Sequence, residues 1–209
     1  MGSWELEQDP QTRIVWVDDD NEYSDSMLRV LLDASLAMPD CALGFHGVYP
    51  RLDGQLCVYW GVTNALRVPM LEGCAGVIVR RGSLGPDRSP RKMLSRFSSA
   101  DCRLGDDLMI SMHLAARGVE RRMLDLPHAH RKRQTGSTEG RVVVRGYEDG
   151  TALHFMERGQ GNRQHYSRCL VQNAAFADQL RAGAWPAPLA DIDTEEGQPA
   201  GSSWAQCVE

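Results

Sequence analysis

Three consecutive aspartates, Asp18, Asp19 and Asp20, follow directly on the apolar run Ile14-Val15-Trp16-Val17. A strand that ends this way delivers clustered negative charge to one end of a sheet. Carboxylates this close repel and raise one another's pKa unless a cation lies between them. A hard divalent ion held by oxygen ligands, Mg²⁺ or Mn²⁺, is the usual remedy. The chemistry suggested is metal-assisted and acts on a charged, phosphorylated substrate. A second acidic pair, Asp106 and Asp107, follows Gly105 and opens an apolar stretch. A carboxylate on such a rigid element suits a general base. Between the two lies Glu72-Gly73-Cys74-Ala75-Gly76, whose glycines allow backbone to approach a ligand closely. Each motif also has a plainer reading. The aspartates could cap the next helix, the acidic pair could answer a helix dipole, and the glycines could form a simple turn.

Elements to position these residues are legible. Ile14–Val17 reads as a short, fully buried strand. A helix follows, with Ser24 as N-cap, Asp25 in the first turn, and Met27, Leu28, Leu31, Leu32 and Leu36 on one apolar stripe; Pro39 stops it. Ala42 to Tyr49 and Gln55 to Trp60 read as a β-hairpin around a Pro50–Gly54 turn. Val77-Ile78-Val79 is a buried strand, and Arg80 to Ser99 a loop. Asp106 to Ala116 is a helix with Leu108, Met109, Met112 and Ala115 inward, ended by Gly118. Val119 to Leu126 is a strand ended by Pro127, and His128 to Gly140 is an exposed loop. Arg141–Val144 and Thr151–Met156 suggest paired strands, and Gln164 to Leu180 one amphipathic helix. From Gly183 onward, Pro, Ala, Gly and acidic residues dominate, the composition of a disordered tail.

The 209 residues suffice for one domain plus that tail, and 42% hydrophobic with 24% charged residues is ordinary for a soluble globular protein. A net charge of −5 gives no general attraction to nucleic acid or anionic membrane. No apolar run approaches the ~20 residues of a membrane span. The polar, acidic N-terminus is not a signal peptide, so a cytoplasmic location is expected. The six cysteines, Cys41, Cys57, Cys74, Cys102, Cys169 and Cys207, include no C-x-x-C pair. They read as small buried thiols in a reducing compartment.

Taken in order, IVWVDDD, EGCAG and GDDL resemble the motifs of a GT-A type glycosyltransferase of the family 2-like kind, over roughly Thr12 to Leu126. The resemblance implies an α/β fold: a mixed sheet with flanking helices, a partial GT-A (nucleotide-diphospho-sugar transferase) fold over residues 1–182, with 183–209 as the tail. It implies transfer of a sugar from a nucleotide-diphosphate donor to a hydroxyl acceptor with inversion, using Mn²⁺ or Mg²⁺. Asp20 would ligate the metal, with Asp18 on the metal or the ribose and His128 as a further ligand; His130 lies close by. Asp19, Glu72, Gly73 and Gly76 would line the substrate. Asp107 would be the catalytic base, and Asp106 would orient it or bind the acceptor. Only 17 residues precede Asp18, where family members carry a β-α-β-α-β nucleotide-binding section. The chain is therefore expected to be the C-terminal half of such a fold, with an exposed sheet edge open to self-association.

Two other readings compete. The segment RIVWVDDDNEYSDSMLRVLL also resembles the start of a response-regulator receiver domain. That domain needs a phosphoacceptor at the end of a later buried strand; Asp53, the nearest candidate, follows a turn. The other is a truncated, non-catalytic interaction module that keeps the half-fold.

Overall fold

Alternation of apolar residues along short segments builds a mixed sheet here, and the two faces of that sheet receive different helices. The computed structural model describes residues 7–18, 22–24, 26–50, 56–59, 65–86, 102, 105–124, 143–145 and 161–183. Strands β1 (Arg13–Trp16), β3 (Cys41–Gly44), β6 (Leu66–Arg67), β8 (Val77–Arg80) and β9 (Glu120–Met123) form a five-stranded sheet in the order β1-β8-β3-β9-β6. Only β3 and β9 run parallel; the other pairs are antiparallel. Strand β1 stands at an edge and pairs with β8 alone among the described residues. It is not the fully buried strand the apolar run suggested. Ile14 is buried, whereas Val17 is 43% exposed, because an edge strand has cover on one side only.

Strand β8 shows how the period of two sorts side chains. Val77 and Val79 face a core with Ile110 and Leu114 of helix α2 (Asp106–Ala116). Ile78 faces the opposite core with Met27 and Leu31 of helix α1 (Met27–Ala37). Helix α2 has a third neighbour. Its Leu108 and Met112 join Val48, Met70, Leu170, Phe176 and Leu180 in a second cluster. This core lies between the small sheet β5-β4-β7 (Leu56–Tyr59, Gly47–Pro50, Met70–Leu71) and helices α3 (Gly161–Gln172) and α4 (Ala174–Ala182). A helix wedged between two cores is apolar on most of its circumference, and α2 buries every residue from Leu108 to Leu114.

The hairpin forms as the sequence suggests, with Val48 opposite Val58. The segment before it is bent, however. Residues 41–44 belong to the large sheet and 47–50 to the small one, so the chain changes sheets at Phe45-His46. Helix α1 begins at Met27, after Ser26, and the Ser24 carbonyl accepts a bond from the Met27 N–H at 3.0 Å. Its predicted stripe is divided. Met27 and Leu31 are buried, but Leu28, Leu32 and Leu36 are exposed on the outer face. Helix α2 has the predicted bounds, and Gly118 at φ +71° ends it in a conformation that favours glycine.

Two further expectations change, for residues 164–180 and for Cys102 and Cys169. The single helix expected over Gln164–Leu180 is two helices broken at Asn173, whose side-chain amide donates to the Cys169 carbonyl at 2.7 Å. Strand β10 (Val143–Arg145) pairs with β2 (Glu22–Tyr23); residues 151–156 lie outside the described residues. Cys102 and Cys169 form a disulfide that ties the segment before α2 to α3, so these two are not free thiols. Cys41 and Cys74 form no disulfide among the described residues; Cys57 lies on β5, and Cys207, like 184–209, lies outside the described residues. Among the described residues no helix is long and apolar enough to cross a membrane.

Candidate active site

Antiparallel register assembles the centre of the site. Strands β4 and β7 pair Gly47 with Leu71 and Val48 with Met70. One step further along the same register, His46 meets Glu72. The Glu72 N–H donates to the His46 carbonyl at 3.1 Å, and the Glu72 carboxylate lies 2.6 Å from His46 Nδ1. A 3₁₀ turn, Gly73–Ala75, then swings the Cys74 thiol back to the same ring nitrogen, Sγ to Nδ1 3.6 Å. Gly76 closes the turn at φ +88° and donates its N–H to the Gly73 carbonyl at 2.8 Å. A Cβ on Gly76 would meet Met27 Sδ at 3.1 Å, so the space beside it belongs to α1.

Asp107 enters from the first turn of α2. Its Oδ1 accepts the Gly73 N–H at 2.8 Å. Burial pushes its pKa well above the ordinary aspartate range, and the neighbouring charges of Glu72, Asp106 and Asp18 push it further; the Gly73 bond opposes them. Asp106 is exposed on the same turn. The end of β1 lies close to α2, since Trp16 and Asp107 both border Gly73.

Tyr23 secures that approach. Its hydroxyl accepts the Asp18 N–H at 2.9 Å and shares its own proton between the carbonyls of Asp18 (3.2 Å) and Cys74 (3.3 Å). Trp16, at the end of β1, lies over Gly73. A Cβ there would stand 2.9 Å from Trp16 Cδ1 and 3.3 Å from Asp107 Oδ1, so only glycine fits without displacement. The buried Trp16 Nε1 has no hydrogen-bond partner among the described residues, a deficit of about 1–3 kcal/mol.

His46 is 15% exposed and Glu72 16%. Burial alone would lower the imidazole pKa, but Cys74 and Glu72 outweigh it and hold the ring well above its usual value. His46 Nδ1 and the Glu72 carboxylate stand within hydrogen-bond distance, 2.6 Å apart.

The structure thus brings Asp18, Glu72, Gly73, Asp106 and Asp107 into one neighbourhood, with Gly76 behind it. Asp19, Asp20, His128, His130 and Asp53 lie outside the described residues. Trp16, Tyr23, His46 and Cys74 were not singled out from the sequence. His46 sits inside an apolar segment, and only the β4–β7 register reveals its partner. The chain matches no model of a known protein family, and no curated protein matches it.

Proposed function

We propose that the protein is a metal-dependent glycosyltransferase that moves a sugar from a nucleotide-diphosphate donor to a hydroxyl acceptor. The observation that supports this reading is the meeting of two distant acidic segments. Asp18 follows β1 and is held by Tyr23, which also bonds the Cys74 carbonyl, and Asp107 opens α2 and accepts the Gly73 N–H of the same turn.

Asp107 is suited to the role of base. A carboxylate with a raised pKa accepts a proton more readily than an ordinary one. Its Oδ1 is fixed by Gly73, which fixes the direction of the other oxygen. That oxygen takes the proton of the acceptor hydroxyl as the acceptor oxygen attacks the anomeric carbon. The bond to the diphosphate breaks on the opposite side, and configuration inverts. Asp106, exposed beside it, would bind the acceptor.

The surplus of carboxylates fits a divalent cation, since Asp18, Glu72 and Asp106 all raise Asp107. Their donors are oxygens, which suit Mg²⁺ or Mn²⁺. Asp18 and Asp20 would hold the ion, with His128 as a further ligand. Bound there, it would offset the charge that builds on the leaving diphosphate.

The test is turnover of UDP-sugars and GDP-sugars by the purified chain with Mn²⁺. Asp107→Asn is expected to lower kcat by about 10²–10⁴-fold with donor affinity nearly unchanged. Asp20→Ala is expected to remove the metal dependence. An Asp107→Asn protein as fast as the parent would refute the assignment of the base.

A further inference from the structure

The His46, Glu72 and Cys74 side chains converge, and the transferase chemistry uses neither His46 nor Cys74. Their ligand atoms all lie within 4.8 Å of one another. A nucleophile–base–carboxylate triad would set Cys74 and Glu72 on opposite nitrogens of the imidazole. Here both approach the same nitrogen, Nδ1, at 3.6 and 2.6 Å. Convergence of three donors from one side is the geometry of a shared cation.

We propose that His46, Glu72 and Cys74 form a zinc site, separate from the cation site proposed at the end of β1. Imidazole, thiolate and carboxylate together suit Zn²⁺ far better than Mg²⁺ or Mn²⁺. With the usual Zn–ligand lengths, a tetrahedral ion separates S from N by about 3.5 Å and N from O by about 3.3 Å. The Cys74–His46 spacing of 3.6 Å is already of that size. The His46–Glu72 contact of 2.6 Å opens by roughly 0.7 Å when the ion replaces the proton between them. The small remaining exposure of His46 and Glu72 leaves a path for the ion and room for water as fourth ligand.

The backbone holds the donors ready. His46 stands where the chain passes from one sheet to the other, and Glu72 is bonded to it through the β4–β7 register. Cys74 is set by the closed turn Gly73–Gly76 and by the Tyr23 bond to its carbonyl. Zinc at this point would pin the sheet-switch to the turn that carries Gly73. Its role would be structural, one residue away from the partner of Asp107. The proposal does not depend on the transferase reading, and its test reads metal binding rather than turnover.

The full chain is stripped with chelator, handled without oxygen and without added reductant, and titrated with Zn²⁺ and with Co²⁺. These conditions keep Cys74 a thiol and the Cys102–Cys169 disulfide closed. One equivalent of Zn²⁺ is expected to bind and raise Tm. Co²⁺ is expected to give the visible bands of a tetrahedral site and a thiolate charge-transfer band. Loss of even a supporting residue costs about 10–100-fold in affinity, so Cys74→Ser should weaken binding by at least about 100-fold and abolish the charge-transfer band. Glu72→Gln, which preserves the packing, should weaken binding with the band retained. Absence of stoichiometric binding in the parent chain, or a thiolate band that survives Cys74→Ser, overturns the proposal.

Discussion

Breaking the Cys102–Cys169 disulfide should destabilise the protein substantially and loosen the helix that carries Asp107. The bridge joins residues 67 apart in the sequence. In the chain-entropy treatment, freeing a loop of that length returns about 4 kcal/mol of disorder to the unfolded state. A domain of this size loses roughly 2–4 °C of Tm per kcal/mol, so the midpoint should fall by about 8–16 °C. Both cysteines are buried in the core shared by α2, α3 and α4, so alanine substitution adds a small packing loss in the same direction. Cys102 is also bonded through its carbonyl to the Gly105 N–H at 3.4 Å, just ahead of Asp106. The unbridged chain should therefore lose activity at temperatures well below its unfolding. The assay is urea and thermal unfolding of the parent and of the Cys102→Ala/Cys169→Ala protein, with thiols counted under denaturing conditions before and after reduction. A parent chain in which reduction exposes no additional thiols, or a double variant within about 1 kcal/mol of it, would refute the reasoning.

Two further outcomes follow from the site. Asp107 has a folded-state pKa raised above its unfolded value, so its ionised form is penalised in the native protein. Its contribution to stability is full below the unfolded pKa and is lost as pH rises through the folded one. In chelator-treated protein, Asp107→Asn should match the parent in acid and become relatively more stable as pH rises past the ordinary carboxylate range, measured by urea midpoints across pH. A variant less stable than the parent at every pH would mark Asp107 as a purely structural cap. Gly73→Ala should cost about 1–3 kcal/mol, because its Cβ must displace the Trp16 ring. A shift of the Asp107 carboxylate approaching 1 Å should also cost on the order of 10²-fold in kcat. Unfolding and turnover measured together check both, and an unchanged Tm would show that Trp16 yields freely.

Local signals were strongest where one neighbour dominates. Asp106 to Ala116 could be bounded from its acidic first turn and from Gly118, since capping depends on residues adjacent in sequence. The hairpin around Val48 and Val58 was equally legible, because its turn is made of turn-forming residues. Helix α1 was harder. Five apolar residues on one stripe implied a single buried face, yet only Met27 and Leu31 lie against the sheet. Which part of an apolar stripe is covered depends on what packs there, and the stripe itself carries no record of that. Asn173 likewise gave no sign that it would divide α3 from α4.

The site divides along the same line. The amino-acid sequence by itself determined that acids stand at the end of one strand and the start of one helix, with a glycine turn between them in the chain. Tertiary structure alone decided that Asp107 bonds to Gly73, that Tyr23 ties Asp18 to the turn, and that His46 and Cys74 meet Glu72. It also decided which cysteines pair. The physical reason is range. Helix caps and turns are fixed by interactions over three or four residues, whereas the contacts from Glu72 to His46, His46 to Cys74, Asp107 to Gly73, Tyr23 to Cys74 and Cys102 to Cys169 join residues 26 to 67 apart. They come into being only when strand register and the packing of α2 between two cores bring those segments together.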